Sequence, residues 1–238
     1  MIFRRFVSVS ALASALLVLP LLGCPKSPPS NLPPPQQQDL DEAPSSGPGQ
    51  SGSFDYYVLS LSWSPQFCSS RKFAPSDQQC GDGRRFGFIV HGLWPQYEKG
   101  YPESCATSFQ LAPQTVEKAL QMMPSQKLIE HEWQKHGTCS GLSAEQYFGQ
   151  VETVYAGLVI PPPYRQPTAP VVTSLTELKQ RFVEANPRLS DKSITAQCSG
   201  AYLREVRICL RKDLSPMPCN SFVHDSCKAP DLQLRPLR

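Results

Sequence analysis

HEWQKHGTCS (131–140) sets two histidines, a glutamate and a lysine within six positions and follows them with a cysteine. An α-helix turns about 100° per residue, so with His131 at zero, Lys135 falls at about 40°, Glu132 at about 100° and His136 at about 140°. The four share one face, while Trp133, at about 200°, is left to pack in a core. The spacing therefore predicts a helix over 128–135 that presents charged groups from an anchored element. Three chemistries suit such a face, besides a merely solvated helix end. A zinc hydrolase of the H-E-x-x-H kind superposes two histidines four apart. Here the second is five away, and Lys135 holds the ligand position, where an ammonium repels a dication. A reactive thiol requires Cys139 to be free. Metal-free proton transfer requires a second, matching segment.

That segment lies at 88–96, FIVHGLWPQ, where His91 and Trp94 stand close together. Three of the four histidines fall in these two segments, and the fourth, His224, reads as structural or exposed. Two imidazoles, a carboxylate and an ammonium match the demands of an RNA phosphodiester. One histidine takes the proton of the 2′-hydroxyl as it attacks phosphorus, and another gives a proton to the departing 5′-oxygen. The ordinary imidazole pKa near 6.5 allows one neutral and one charged ring at mild pH. Lys135 is then a partner for charge growing on the non-bridging oxygens. DNA, without the hydroxyl, is not a substrate for this chemistry.

FIVHGLWPQ and HEWQKHGTC resemble, nearly letter for letter and in the right order, the two catalytic segments of the ribonuclease T2 family. The likeness extends more loosely over Phe54 to Cys227, through the opening FDYYVLSLSW and the later cysteines. The resemblance implies a disulfide-bonded α+β enzyme that needs no metal or other cofactor. Its expected reaction is endonucleolytic cleavage of single-stranded RNA through a 2′,3′-cyclic phosphate to 3′-phosphate ends. Carried over, it makes His136 the general base, His91 the general acid and His131 a phosphate-binding group. Glu132 and Lys135 stabilise the transition state, and Trp94 is associated with a base pocket. Plant members carry a glutamine on the opening strand that contacts a second base, and Ser62 stands at that position. Two readings of other classes remain alongside: an RNA-binding or surface-interaction domain without turnover, and a zinc hydrolase.

Nine cysteines are present. Setting aside Cys24 leaves eight, an even number that favours disulfides in an exported chain. Eight cysteines allow about 105 pairings, but local geometry narrows them. Residues 194–210 and the turn at 213–218 resemble a hairpin, which nests Cys209 with Cys219 inside Cys198 with Cys227. Cys68 with Cys80 closes a short loop, leaving Cys105 with Cys139.

The N-terminus reads MIFRRFVSVSALASALLVLPLLGC: two arginines precede an uncharged run from Phe6 to Leu22, the layout of an export signal. Leu21-Leu22-Gly23-Cys24 fits a lipobox, in which Cys24 is acylated and becomes the first residue. Residues 24–53 are rich in Pro, Ser and Gln with little to bury, and read as a disordered tether. The expected organisation is a signal peptide over 1–23, a tether from lipidated Cys24 to 53, and a catalytic domain over 54–238. The protein is expected at the outer face of a membrane, facing the periplasm or the exterior, as a monomer held by its lipid. Formal net charge is +3, and losing Arg4 and Arg5 with an acid-free signal lowers it to +1. A pI of about 8.4 falls short of the value above about 9 that marks a broadly basic nucleic-acid binder. Attraction for RNA must be local.

Within the domain, FDYYVLSLSW alternates Tyr57, Leu59, Leu61 and Trp63 against Val58, Ser60 and Ser62, the pattern of a half-buried strand. Phe86 to Val90 predicts a second strand, ended by Gly92 and Pro95, with His91 where it leaves the core. Helical spacing follows over 112–125, from Pro113 to Pro124, over 143–159 with Ser143 as cap, and over 174–187. Helices and strands mix without strict alternation, so the expected fold is α+β, with a mainly antiparallel central sheet and flanking helices.

Overall fold

β-Branched and aromatic residues in the opening run form a central strand, β2 (Tyr56–Trp63), preceded by β1 (Ser45–Pro48), in a computed structural model that describes residues 45–107 and 109–237. After Trp63, Pro65 in the first turn starts a short helix, α1 (Ser64–Ser69). There follow β3 (Phe88–Gln96), β4 (Tyr101–Glu103), α2 (Pro113–Ala119), α3 (Gln126–Lys135) and α4 (Ala144–Ala156). The chain ends with β5 (Val171–Thr173), α5 (Leu175–Ala185), β6 (Ile194–Ser199), β7 (Tyr202–Leu210) and β8 (Leu232–Leu234). The export signal, Cys24 and the tether up to residue 44 lie outside the described residues.

The main sheet runs β3-β2-β7-β8-β5, with β6 on β7, and every pairing but β7–β8 is antiparallel. The fold is thus α+β with a mainly antiparallel, mixed sheet. One face carries Tyr57, Leu59, Leu61 and Trp63 into a core shared with Ile129 and Trp133 of α3, Tyr147, Phe148 and Val151 of α4, and Leu178 and Phe182 of α5. Serine caps open three of the helices: Ser125, Ser143 and Ser174 each accept a hydrogen bond from a first-turn N–H. The helix over 112–125 is shorter than expected and closes at Ala119.

Three readings change. First, β2 is buried on both faces, not half-buried: its polar side carries Ser60 and Ser62 beside Glu205 and Arg207 of β7. Second, β3 continues through Gly92 and Pro95 to Gln96. Pro95 is tolerated because β3 is the last strand of the sheet and its outer side needs no ladder donor. That outer edge is closed by Tyr147 and Tyr155, whose hydroxyls donate to the carbonyls of Leu93 and Phe88, and by the Val90 N–H donating to Met122. Third, the end of the stretch read as tether belongs to the fold. β1 pairs with β4, the Ser51 hydroxyl donates to the Thr138 carbonyl at 2.7 Å, and the Gly52 N–H donates to the Cys139 carbonyl at 2.9 Å.

The eight cysteines pair as Cys68–Cys80, Cys105–Cys139, Cys198–Cys227 and Cys209–Cys219. The hairpin that carries the last two turns at Gly200, between β6 and β7, and a second small turn brings Met217 back to the Cys209 carbonyl.

Candidate active site

Between Ser60↔Gly92 and Leu61↔Val90 the register of β2 and β3 slips by one, leaving His91 as the extra residue of a β-bulge. Bulges re-aim side chains. This one keeps Phe88 and Val90 on the helix-covered face opposite Trp63 and Leu61, yet puts Gly92 and Trp94 opposite Ser60 and Val58 on the other face. His91 meets three groups. Its Nδ1 lies 2.8 Å from Glu205 Oε1, its Nε2 lies 3.3 Å from Glu132 Oε1, and its ring meets Trp94 edge-on with centroids 5.1 Å apart.

From α3, Trp133 enters the core while Glu132, 1% exposed, reaches β3 and accepts a 2.7 Å hydrogen bond from Trp94 Nε1. His136 caps the C-terminus of α3, and its backbone N–H donates to the Glu132 carbonyl. Its ring lies 5.4 Å from that of Trp94 and 5.5 Å from that of Tyr101. The two imidazoles therefore flank one indole. Lys135 Nζ sits 5.5 Å over the Tyr101 ring, and His131 and Lys135 are half-buried at the rim. The Cys105–Cys139 bridge pins the turn that follows His136 to the loop after β4.

Burial of the charged imidazolium disfavours it, but the Glu132 and Glu205 carboxylates outweigh this and push His91 up to about 10. Burial likewise opposes the ionised carboxylates. Arg207 and His91 nonetheless hold Glu205 down at about 2, and His91, with His136 and His131, holds Glu132 below its usual value. Burial lowers His131, against the pull of Glu132. The site thus couples a charged imidazole on β3 to carboxylates on α3 and β7.

Of the five residues expected to act on phosphate, His91, Glu132 and His136 lie together around Trp94, and His131 and Lys135 stand half-buried on the same helix as Glu132. Trp94 does not offer a stacking surface. It is 2% exposed, contacted by both histidines and by the Arg207 guanidinium 5.1 Å from its ring, and it holds Glu132 through its N–H. Ser62 sits beside Glu205 on the covered face. Glu205, Arg207 and Tyr101 were not found from the sequence. The first two had a signal, since Glu205 and Arg207 stand two apart, on one face, in the strand YLREVRICL, flanked on that face by Leu203 and Cys209. His224 is exposed, and among the described residues its backbone carbonyl accepts from Gln197.

An imidazole on an edge strand and one at a helix end flank a single indole beside a buried carboxylate, a set of groups equipped for acid–base chemistry. The chain belongs to the ribonuclease T2 family, whose profile matches residues 54–219. It is similar to a "Ribonuclease" of Aeromonas hydrophila, 49% identical over 100 residues that make up 42% of this chain and 44% of that protein. A "Probable ribonuclease" of Haemophilus influenzae is 34% identical over 184 residues, 70% of this chain and 61% of that protein. The chain thus spans less than two thirds of the length of these two relatives. Ribonuclease I of Escherichia coli is 26% identical over 73% of this chain and 82% of its own. The fold matches solved structures of a ribonuclease-related protein from Calystegia sepium (TM-score 0.62, 23% identity, 78% of this chain and 98% of that one). Ribonuclease MC1 from bitter gourd seeds matches with a TM-score of 0.56 and 23% identity, over 75% of this chain and 99% of its own.

Proposed function

We propose that the protein is an exported endoribonuclease that cuts single-stranded RNA by transesterification through a 2′,3′-cyclic phosphate to 3′-phosphate ends. The observation that carries this reading is that His91 and His136, from distant parts of the chain, flank the single indole of Trp94 with Glu132 bonded to that indole. In the first step His136 takes the 2′-hydroxyl proton, and the oxygen attacks phosphorus. His91, kept protonated by two carboxylates, gives its Nε2 proton to the departing 5′-oxygen. His131 and Lys135 at the rim meet the non-bridging oxygens, where charge grows. In the second step the roles exchange. Neutral His91, still beside Glu132 and Glu205, readily takes a proton from water as it opens the cyclic phosphate, and His136 returns a proton to the 2′-oxygen.

The test is incubation of the purified protein with single-stranded RNA in EDTA, followed by analysis of product ends. Cleavage to cyclic and then 3′-phosphate ends is expected, with loss of about 10²-fold or more in each of His91→Ala and His136→Ala. Absence of cleavage, or full activity in both variants, refutes the reading. The four disulfides support a site of action in an oxidising compartment outside the cytosol. The proposal extends to a monomer held at a membrane by acylated Cys24. Cys24→Ser should release the protein from membrane fractions or stall it with its signal attached, while an unmodified soluble wild type would rule the anchor out.

A further inference from the structure

Behind His91, on the side away from Glu132, lies the second of its two carboxylates, which meets neither the hydroxyl nor the phosphate in that reaction. Glu205 Oε1 is 2.8 Å from His91 Nδ1, and its other oxygen accepts from Arg207 Nε at 3.0 Å and Nη2 at 2.8 Å. All three side chains are almost completely buried. Their mounting is rigid: β7 is hydrogen-bonded on both sides, with Glu205 between Ser62 and Gln197, and Arg207 between Ser60 and Thr195. Two guanidinium N–H groups converging on Oε2, with Oε1 on His91, hold the carboxylate in place and in its charged form. An ionised carboxylate only accepts, so the hydrogen shared with Glu205 belongs to Nδ1. Nε2 is then the nitrogen left to exchange protons, and it faces Glu132.

We propose that Glu205, gripped by Arg207, is a positioning residue that fixes the tautomer and orientation of His91 and holds that ring in its acidic form. The inference rests on the ribonuclease reading for its catalytic meaning, but not for its geometry. Its chemistry is simple. When Nε2 releases its proton to a leaving oxygen, the Nδ1–H stays on Glu205, so the neutral ring carries its lone pair at Nε2, as the second step requires. The charged and titratable groups around His91 are Glu132 from α3, Glu205 and Arg207 from β7, and His131 and His136 from α3 and its cap. The raised pKa of His91 agrees with the two carboxylates dominating.

Two measurements test this. In Glu205→Gln the basic limb of the pH–kcat profile should move down by one pH unit or more. The value of kcat at pH 8 should fall about 10- to 100-fold with little change in KM, the size expected when a positioned proton transfer is weakened. Glu205→Asp, which keeps the charge, should recover part of the loss. A folded Glu205→Gln with the wild-type limb and kcat overturns the proposal. The second measurement needs neither folding of a variant nor activity: an ¹⁵N-imidazole NMR titration of the wild type, with His91 assigned by through-bond correlation of its ring to its own backbone resonances. It should show His91 doubly protonated past pH 8 and Nδ1-protonated above its titration. A ring that titrates near pH 6.5, or that keeps its proton on Nε2, overturns the proposal even if RNA is cut. Conversely, a wild type that cuts no RNA but shows the expected signals sinks the ribonuclease reading and leaves the grip standing.

Discussion

Gly92→Ala adds one methyl group at the centre of the site. Gly92 pairs with Ser60 next to the His91 bulge, and its φ lies outside the left-handed region, so alanine suits the backbone. Space is the obstacle. A Cβ there would collide with Glu132 Oε2 and Trp94 Nε1, the two ends of one hydrogen bond, and lie 2.9 Å from Trp94 Cδ1. The methyl and the bond cannot coexist. Losing a hydrogen bond to a buried charge costs about 1.5–3 kcal/mol, and overpacking adds about 1–3 kcal/mol. The smaller unfolded-state entropy of alanine returns about 0.4–1 kcal/mol. The balance is about 2–5 kcal/mol, which in a domain of this size lowers Tm by about 5–15 °C. Displacing Glu132 from between Trp94 and His91 should also lower RNA cleavage by about 100-fold. Calorimetry and single-turnover cleavage measure the two effects. The control is Gly149→Ala, on the exposed side of α4 with nothing within 4 Å of its would-be Cβ. It should be neutral, or stabilising by up to about 1 kcal/mol. Wild-type Tm and activity in Gly92→Ala would refute the assignment of Glu132 and Trp94 to one tightly packed unit.

Stability should depend on pH through the His91–Glu205 pair. His91, raised from 6.5 to about 10, contributes stability that is complete below pH 6.5 and is lost as pH rises toward 10. Glu205, lowered from 4.5 to about 2, contributes stability that is complete above pH 4.5 and is lost as pH falls toward 2. Urea midpoints should peak between about pH 5 and 6, and a profile that rises steadily from pH 6 to 9 would contradict the pairing. Replacing Cys105 and Cys139 together by alanine opens a bridge of sequence separation 34, worth about 3–4 kcal/mol of unfolded-state entropy. Activity should fall more steeply than in the Cys68→Ala/Cys80→Ala double variant, because only the former bridge braces the turn after His136. Deleting residues 45–52 removes the Ser51 and Gly52 hydrogen bonds to that same turn. It should cost about 1–3 kcal/mol in thermal or urea unfolding and lower cleavage several-fold, and an unchanged enzyme would show those residues to be a passive end of the tether.

The two segments around His91 and His136 were legible because their chemistry is concentrated: rare residue types stand at short spacings that one helical turn or one strand end brings together. The helix caps Ser143 and Ser174 were legible for the same reason, being local hydrogen-bonding signals. What the letters concealed depends on partners distant in sequence. Strict alternation along β2 reads as a strand with one wet face. Ser60 and Ser62 are instead buried because β7 lays Glu205 and Arg207 beside them and the disulfide-bound segment after β7 covers that face. A buried polar face of this kind is stable only when its charges are paired, and in this chain the pairing is the site itself. The His91 bulge was hidden for a related reason. A one-residue slip leaves no mark in the hydrophobic pattern, since Val90, Leu93 and Trp94 are apolar in either register. It nevertheless decides whether Trp94 lies with the helices or beside Arg207, and so whether Glu132 finds its donor. The letters therefore name the groups. The charge of His91 is set by Glu132 and by Glu205, and Glu205 stands on β7, a strand more than a hundred residues from His91 whose acid and base resemble ordinary surface charges until the sheet is assembled.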